Sequence, residues 1–277
     1  MQELMLRCLY TQNKGENIVY KKELEKMTCS FTRLHAYEQC AYLLYLKYIE
    51  GREGESNFYA ANGKCMHEVF EKIFKRELPI EDCTEYYAEL YDTICEETRP
   101  STMAATFEKC MDYLCIMEDI DLNKYEIIGV ELELRFKIGK YNFVGYADLV
   151  VRNRENGEVI IVDHKQADKF MKKDGVTPLS NQKENFEAYK KQMYLYCKGL
   201  KDCLELNTDK LVWHHFKCMG ETTKIAYKQE EFDETIQWAL DTISKIKKDK
   251  VFESKESFLM CAQLCDYRND CEYREEY

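Results

Sequence analysis

Three charged side chains interrupt two short apolar runs that are predicted to pair as a β-hairpin. Asp148 lies in the first run, residues 145–151, and Asp163 and Lys165 end the second run, residues 159–165; a polar turn containing a glycine joins them. Because side chains alternate along a strand, Asp163 and Lys165 share one face. Charged groups on a core-facing strand are costly unless they bind something. The pattern therefore predicts a divalent cation held by the two aspartates, with the lysine close to a scissile phosphate.

Composition limits the classes of protein that are possible. The chain has 277 residues, of which 45% are hydrophobic and 33% charged, and only three prolines, as in an ordinary globular protein without a long linker. The N-terminus lacks a signal peptide and no apolar run is long enough to span a membrane, so we expect a cytoplasmic protein without a membrane partner. A net charge of −11 argues against a generally adhesive nucleic-acid binder. It does not exclude a nuclease with a local basic lining.

Hydrophobic periodicity predicts the elements that must position these charges. Ser30 or Thr32 is a candidate helix N-cap, Pro100 a helix break and Gly139 a turn between strands. The predicted helices are residues 30–50, a helix from about 63, two or three helices within 81–122, 182–200 and 230–248; the predicted strands are 127–136, the two hairpin runs and 211–218. This order favours α/β or α+β packing around a small mixed sheet.

Fourteen cysteines in a chain without an export signal are expected to be thiols or metal ligands. Most of them are scattered through helical or strand patterns, where cysteine behaves as a small buried hydrophobe. The C-terminal set differs, because Cys261, Cys265 and Cys271 lie within eleven residues in a loop-like segment. Three closely spaced thiolates suit a metal centre that takes its fourth ligand from elsewhere.

Five motifs in order resemble those of the PD-(D/E)XK nuclease superfamily, in particular its RecB-like branch that contains iron–sulfur nucleases. They are the segment from Ser30 through Tyr37 to Cys40, Gly63-Lys-Cys-Met-His67-Glu-Val-Phe-Glu71, Gly145-Tyr-Ala-Asp148, Val162-Asp163-His164-Lys165-Gln166, and Gln192-Met-Tyr-Leu-Tyr196. The resemblance covers most of the chain. It implies a restriction-endonuclease-like core with a small central mixed sheet flanked by helices.

The resemblance also implies how the chain is organised. We expect a single nuclease domain over residues 1–277, with its core at about 30–80 and 126–250. A helical insertion is expected at about 81–122 and a cysteine-rich segment at 251–277.

By resemblance, His67, Asp148 and Asp163 are ligands of Mg²⁺ or Mn²⁺, and the backbone carbonyl of His164 is a further ligand. Oxygen-rich coordination suits Mg²⁺, and one imidazole makes Mn²⁺ attractive as well. The side chains of His164, His214 and His215 are expected to be structural or surface groups.

The remaining motif residues are expected to act around that cation. By resemblance, Lys165 positions or helps to deprotonate the attacking water and stabilises the transition state. Gln192 and Tyr196 share a helix face and would orient the lysine or the DNA backbone. Glu71, four residues after His67, is expected to orient the site and not to bind the metal.

The resemblance supplies the fourth thiolate. Cys40 would join Cys261, Cys265 and Cys271 to hold a structural [4Fe–4S] cluster. One departure is that three residues separate Cys261 from Cys265, where the family usually has two. Cys29 remains a rival for the remote ligand, and Zn²⁺ a rival for the iron–sulfur cluster.

These observations predict a metal-dependent DNA exonuclease that acts on ends or single strands in recombination, repair, or phage or CRISPR DNA processing. The sequence has no phosphate-binding loop of the Gly-x-x-x-x-Gly-Lys-Ser/Thr type, so any unwinding would need a helicase or recombination partner. The alternative is a non-cleaving nucleic-acid-binding subunit of the same fold. A thiol-rich redox protein is the weakest hypothesis, because it leaves the carboxylate–lysine pattern unexplained.

Overall fold

The computed structural model describes residues 27–95, 103–255 and 257–273. Its main helices are α1 (Phe31–Gln39), α2 (Ala41–Leu44), α3 (Phe58–Phe74), α4 (Cys83–Cys95), α5 (Ala104–Ile116), α6 (Lys183–Leu204) and α7 (Gln229–Lys248), with π-helical turns at Tyr45–Ile49 and Met260–Leu264 and short 3₁₀ turns at Ile80–Asp82, Ser180–Gln182 and Phe216–Cys218. Its strands are β1 (Tyr125–Ile138), β2 (Tyr141–Asn153), β3 (Val159–Lys165), β4 (Lys210–His215) and β5 (Glu221–Ala226).

The five strands form one mixed sheet in the order β1-β2-β3-β4-β5. Strands β2 and β3 pair antiparallel, as the predicted hairpin requires, with Leu149 opposite Val162. Strands β3 and β4 are parallel, so the chain must cross over between them, and α6 makes that crossover. Helices flank the sheet, which confirms the predicted restriction-endonuclease-like mixed α/β fold.

Alternation along β3 directs its polar side chains to opposite faces. On one face, Lys165 bonds to Gln192 of α6, and the neighbouring Trp213 of β4 packs edge-on against Phe186 of the same helix, with ring centroids 5.3 Å apart. On the other face, His164 packs against Phe70 of α3 at 4.5 Å. The acidic and basic groups of β3 therefore face α6, and the histidine faces α3.

The chain divides into two compact units. One comprises Ser56–Phe136 and Val144–Thr235 and contains the residues of the sheet and helices just described. The other comprises Met1–Glu55, Lys137–Phe143 and Ile236–Tyr277.

Within that second unit, α1 and the segment after it are joined to the C-terminal segment by polar contacts. The Tyr37 hydroxyl donates to Asp249 at 2.8 Å, Lys47 pairs with Asp266 at 2.6 Å, and the Tyr267 hydroxyl donates to a main-chain carbonyl at 2.6 Å. Tyr267 also packs with Tyr42 in a small core. These contacts bring distant parts of the sequence together.

Two predicted helix boundaries were wrong. The helix predicted over residues 30–50 begins as expected, because the Ser30 side chain accepts a bond from the Arg33 N–H, but it is interrupted at Cys40, whose backbone is extended. The helix predicted from about Gly63 begins at Phe58, because Asn57 caps it by accepting from the Ala60 N–H. The predicted break at Pro100 lies outside the described residues.

The end of the sheet also differs from the prediction. The strand predicted over residues 211–218 ends at His215, because Phe216–Cys218 forms a 3₁₀ turn and the next two residues, Met219 and Gly220, have φ values of 55° and 72°. These left-handed residues reverse the chain into β5, which was not predicted. In the part of the chain that the structure describes, no helix has the length and apolar character to cross a membrane.

Candidate active site and thiol cluster

His67, Glu131 and Asp148 converge from three elements of the sheet-containing unit. They come from α3, β1 and β2, and each offers a ligand atom within 4.8 Å of the other two. His67 Nδ1 lies 3.6 Å from Asp148 Oδ2 and 3.7 Å from Glu131 Oε1. One imidazole and two carboxylates form a donor set that suits Mg²⁺ or Mn²⁺.

Glu131 was missed by the sequence analysis. Its φ of 47° lies in the left-handed region, which is unusual for a residue other than glycine and rare inside a strand. Such a conformation costs about 1–3 kcal/mol and is often found at functional sites. In the sequence, Glu131 stands out only as an acidic residue between Val130 and Leu132. The period-2 alternation of a strand does not predict a left-handed conformation at this position.

The main chain of His164 ties this group to β3. Its N–H donates to Asp148 Oδ2 at 2.7 Å, and its carbonyl oxygen lies 3.0 Å from His67 Nε2. In this arrangement Nδ1 is the imidazole nitrogen that faces the carboxylates. The predicted role of the His164 carbonyl as a metal ligand stays a prediction. The His164 side chain points the other way and pairs with His214, with 2.8 Å between their Nδ1 atoms.

Lys165 and Asp163 form a buried ion pair beside the three-residue group. Lys165 Nζ lies 3.0 Å and 2.8 Å from the two carboxylate oxygens of Asp163, which is 1% exposed. The ammonium also donates to Gln192 Oε1 at 3.1 Å, and Gln192 Nε2 donates to the Tyr196 hydroxyl oxygen at 2.8 Å. Helix α6 thus presents Gln192 to the lysine, and Tyr196 of the same helix contacts Gln192. Asp163 is not part of the group that could share a cation with His67, so its predicted role as a metal ligand stays a prediction.

Two further residues define the space around the lysine. Lys165 Nζ lies 4.5 Å from the centre of the Tyr189 ring, a favourable cation–π distance. Tyr189 precedes Gln192 by three residues and so lies on the same helix face, a signal that could have found it. At Gly145, an added Cβ would lie 2.8 Å from the Tyr196 ring, so glycine allows the ring to approach β2.

Burial and charge perturb the protonation of Asp148 and His67. Burial raises the pKa of Asp148 to about 7, and the nearby charge of Asp163 adds to this shift. For His67, burial lowers the pKa, but the carboxylates of Asp148 and Glu131 outweigh burial and the net shift is upward. The two residues therefore compete for a proton near neutral pH unless a cation replaces it.

The pKa of Lys165 is raised. Burial opposes its charge, but Asp163, Tyr189 and Asp148 together favour the ammonium form. Burial, with the charges of Asp163 and Asp148, also raises the pKa of Tyr196 well above its usual value, so its hydroxyl stays protonated. The lysine is therefore a donor at neutral pH.

A pocket of about 670 Å³ opens beside these groups. Its lining includes Lys64, His67, Glu71, Glu131, Lys165 and Gln166. The Glu71 carboxylate pairs with Lys75 one helical turn later. Its predicted role in orienting the site stays a prediction.

Comparison with known proteins agrees with this geometry. The family model described as the PD-(D/E)XK nuclease superfamily matches residues 28–272. The chain belongs to the PD-(D/E)XK nuclease superfamily. No curated protein matches the chain.

Two solved structures are similar to the chain at low sequence identity. One is a Eubacterium rectale protein whose name designates it provisionally as an exonuclease; it is 11% identical, and the alignment covers 88% of this chain and 90% of that one with a TM-score of 0.48. The other is SSO0001, 16% identical, with 96% and 100% coverage and a TM-score of 0.39.

The four predicted cluster cysteines of this PD-(D/E)XK protein lie in one compact unit. Cys40, Cys265 and Cys271 pack around the small core that contains Tyr42 and Tyr267. Burial raises the pKa of Cys271, and the nearby thiols of Cys40 and Cys261 add to the shift. All four sulfur atoms are therefore close enough to interact electrostatically with at least one other member.

The spacing of these sulfur atoms bears on the choice of metal. A single Zn²⁺ ion, with Zn–S bonds of about 2.3 Å, holds its thiolates within about 4 Å of one another. Among the residues that the structure describes, no three cysteine sulfur atoms lie within 4.8 Å of one another. An iron–sulfur cluster places irons and sulfides between the thiolates and keeps them farther apart. The four thiols suit a group with thiolate ligands, and the choice between an iron–sulfur cluster and zinc stays a prediction.

Main-chain donors add to this fit. The Lys255 N–H donates to Cys40 Sγ and the Tyr267 N–H to Cys265 Sγ, each at 3.4 Å. Hydrogen bonds to sulfur are a usual feature of iron–sulfur sites. The rival ligand Cys29 is buried, and burial raises its pKa to about 11 despite the nearby charges of Arg33 and Lys247.

The unusual spacing between Cys261 and Cys265 coincides with the π-helical turn Met260–Leu264. The Cys265 N–H bonds to the carbonyl of Met260, five residues earlier, at 2.8 Å. A π-helical turn accommodates one residue more than an α-helical turn. The turn thus accounts for the additional residue between the two thiols relative to the usual family spacing.

Proposed function

We propose that the protein is a metal-dependent DNA exonuclease that acts on ends or single strands and contains a structural [4Fe–4S] cluster. The observation that carries this proposal is the convergence of His67, Glu131 and Asp148 beside the buried Asp163–Lys165 pair. Family membership supports the nuclease activity. Recombination, repair, and phage or CRISPR DNA processing remain the expected settings, with a helicase or recombination protein as a possible partner.

The donor set of His67, Glu131 and Asp148 fits Mg²⁺ or Mn²⁺, and Asp163 is the adjacent carboxylate predicted to complete it. When bound there, the cation supplies charge neutralisation at the phosphate and a more acidic water. Two protein features support its binding. The His164 N–H bond orients Asp148, and the contact between the His164 carbonyl and Nε2 directs His67 Nδ1 towards the carboxylates.

Lys165 is proposed to stabilise negative charge on the phosphate as an ammonium group. Its raised pKa favours this role over that of a general base, because a protonated amine cannot accept a proton. Gln192 holds the ammonium through Oε1 and is itself held by Tyr196. The order of these bonds supports an orienting role for both residues of α6.

Cys40, Cys261, Cys265 and Cys271 are proposed to bind the [4Fe–4S] cluster, which would link the N-terminal and C-terminal segments of their unit. Closing so long a loop restricts the unfolded chain, so loss of the cluster is expected to lower stability. No step of hydrolysis is assigned to it.

The decisive experiment uses end-labelled single- and double-stranded DNA, with free and blocked ends, in the presence of Mg²⁺ or Mn²⁺. We expect degradation from free ends that is abolished in Asp148→Ala, Asp163→Ala and Lys165→Ala, each with an unchanged circular dichroism spectrum. Iron, sulfide and zinc are measured on the same samples. Full activity of the Lys165 variant would reject the lysine's role, and stoichiometric zinc without iron would reject the cluster. Binding without cleavage by the wild-type protein would favour the non-cleaving subunit.

A further inference from the structure

Tyr146 lies in the motif that contains Asp148, but the proposed hydrolysis assigns no role to it. The residue is 48% exposed, and because its backbone lies within strand β2, most of the exposed surface belongs to the ring. Its hydroxyl donates to Glu133 Oε1 on the neighbouring strand β1 at 2.9 Å. Glu133 Oε1 in turn lies 2.5 Å from Arg135 Nη2. The ring is therefore held at its hydroxyl end while a large part of it remains open to solvent.

Charge fixes the direction of these hydrogen bonds. The bond from Arg135 lowers the pKa of Glu133, and the bond to Glu133 raises the pKa of Tyr146. Glu133 is therefore a carboxylate, which can only accept, and the tyrosine hydroxyl must donate. The guanidinium of Arg135 offsets the charge of Glu133. In the described part of the chain it has no other side-chain partner, so most of its five N–H donors remain available.

The pair of Tyr146 and Glu133 lies close to the candidate cation ligands along both strands. Tyr146 is two residues before Asp148 on β2. Glu133 is two residues after Glu131 on β1. Two residues of extended strand span about 7 Å, a distance comparable with one nucleotide of an extended nucleic-acid strand. A nucleotide next to the cut phosphate can therefore reach the ring.

An exposed aromatic ring at this distance suits a stacking contact with a base. Every nucleobase presents a flat π face, so such a contact tolerates any sequence. It requires a base that is unpaired or at an end, because a base inside a duplex is already stacked on both faces. A guanidinium beside the ring can donate to the backbone phosphate of the same nucleotide.

We propose that Tyr146 stacks on the base of a nucleotide adjacent to the cut phosphate and that Arg135 contacts the backbone of this nucleotide. The proposal rests on the proposed nuclease function and names the preferred substrate, a single strand or an unpaired end. The bond to Glu133 positions the ring before the strand binds, which reduces the ordering that binding requires.

A purely structural role for Tyr146 leads to a different expectation. If the residue only ties β2 to β1 through its hydroxyl, Tyr146→Phe and Tyr146→Ala lose the same bond and neither affects the binding of DNA. If the ring stacks on a base, phenylalanine retains the contact and alanine does not. The comparison of these two variants therefore separates the hydroxyl from the ring.

The test compares Tyr146→Phe, Tyr146→Ala and Arg135→Ala with two controls outside the site. Leu122→Ala truncates another apolar side chain that is 47% exposed, and Lys109→Ala removes an exposed charge from α5. Substrates are a single-stranded oligonucleotide and a blunt duplex of the same sequence. In separate single strands, one abasic residue replaces the nucleotide at each of the first three positions from either end. Equilibrium binding is measured by fluorescence anisotropy with Ca²⁺ in place of Mg²⁺, and single-turnover cleavage with Mg²⁺ or Mn²⁺.

We expect Tyr146→Ala to weaken binding of the single strand about tenfold and binding of the blunt duplex by less than about threefold. Tyr146→Phe should bind both substrates as the wild type does. Arg135→Ala should weaken both substrates, because a phosphate contact does not depend on base pairing. One abasic position should weaken the wild-type protein about tenfold and have little further effect on Tyr146→Ala. Both control variants should behave as the wild type.

Each alternative outcome is distinguishable. If the wild type cleaves DNA but Tyr146→Ala binds the single strand normally, the stacking contact is rejected and the proposed function stands. If the wild type does not cleave, the proposed function fails, and the anisotropy comparison alone decides the stacking contact. Equal losses at every abasic position would also reject it. The abasic substrates need no substitution in the protein, so they decide even where melting curves show that a variant has lost its fold.

Discussion

Replacing Asp148 with asparagine should stabilise the metal-free protein while abolishing cleavage. Asp148 is 8% exposed, and its pKa rises from 3.8 to about 7 because burial and the charge of Asp163 oppose ionisation. Asparagine keeps an oxygen for the His164 N–H, which donates to Asp148 at 2.7 Å, and removes the buried charge. The substitution thus separates the electrostatic cost of the site from its hydrogen bonding.

The magnitude follows from linkage. A folded-state pKa of about 7 against 3.8 makes the ionised form about 4 kcal/mol less stable in the folded protein at pH 8. Because the pKa is raised, this cost is small below pH 4, grows as the pH rises towards 7 and is constant above. The raised pKa of His67 acts in the same direction. Protonated His67 stabilises the folded protein below about pH 6.5, and this stabilisation is lost as the pH rises through the folded-state pKa. From Asp148 alone, the metal-free wild type should therefore gain about 2.6 kcal/mol of stability when the pH falls from 8 to 5.

The assay is urea unfolding in EDTA at pH 5 and pH 8, on wild type and Asp148→Asn with equal iron content. We expect the variant to be more stable at pH 8 by roughly 2–4 kcal/mol and the difference to shrink by about half at pH 5. Added Mg²⁺ should stabilise the wild type more than the variant, because a bound cation relieves the repulsion. A variant that is less stable at pH 8, or a difference that does not change with pH, would refute this account of the site.

Three further predictions concern the surroundings of Lys165, the packing of Tyr196 and the cysteine-rich segment. Tyr189→Leu should slow single-turnover cleavage by about tenfold, because Lys165 Nζ loses the ring whose centre it approaches to 4.5 Å; Tyr189→Phe keeps the ring and should match the wild type, and an identical effect of both substitutions would exclude the cation–π contact. Gly145→Ala should lower the free energy of unfolding of the protein by about 1–3 kcal/mol, because the added Cβ would lie 2.8 Å from the Tyr196 ring. Thermal unfolding measures this change, and an unchanged melting temperature would contradict the expectation. Deletion of Gln263 should convert the π-helical turn into an α-helical one and retain iron and sulfide, whereas loss of both would show that the longer turn is required.

The sequence predicted those parts of the fold that depend on local pattern. The hairpin around Gly157 formed as expected because two apolar, β-prone runs flank a polar turn and pair antiparallel. Strand β5 was not predicted, since its burial is incomplete and its start depends on the left-handed residues Met219 and Gly220. The interruption at Cys40 was likewise not predicted, because the residues on either side of it have ordinary helical periodicity.

The sequence also predicted the candidate site incompletely, but for a different reason. Residue type and spacing were enough to select Asp148 and Lys165, whereas His67 was selected through the resemblance of its motif to that of the superfamily. Glu131 joins His67 and Asp148 through a left-handed backbone conformation, and such conformations depend on tertiary contacts that periodicity does not record. The ion pair of Asp163 with Lys165 was also not predicted, although their shared strand face was.

The two faces of strand β3 differ in role: one carries the candidate catalytic side chains, and the other packs in the core. Asp163 and Lys165 project towards α6, where Gln192 fixes the ammonium, whereas the His164 ring is buried against α3. Only the main chain of His164 contacts Asp148 and His67, through its N–H and its carbonyl. Burial also lowers the pKa of His164 well below its usual range, so its ring stays neutral. The histidine side chain can therefore serve the core of the protein while its backbone orients Asp148 and His67, and the two functions place separate demands on one residue.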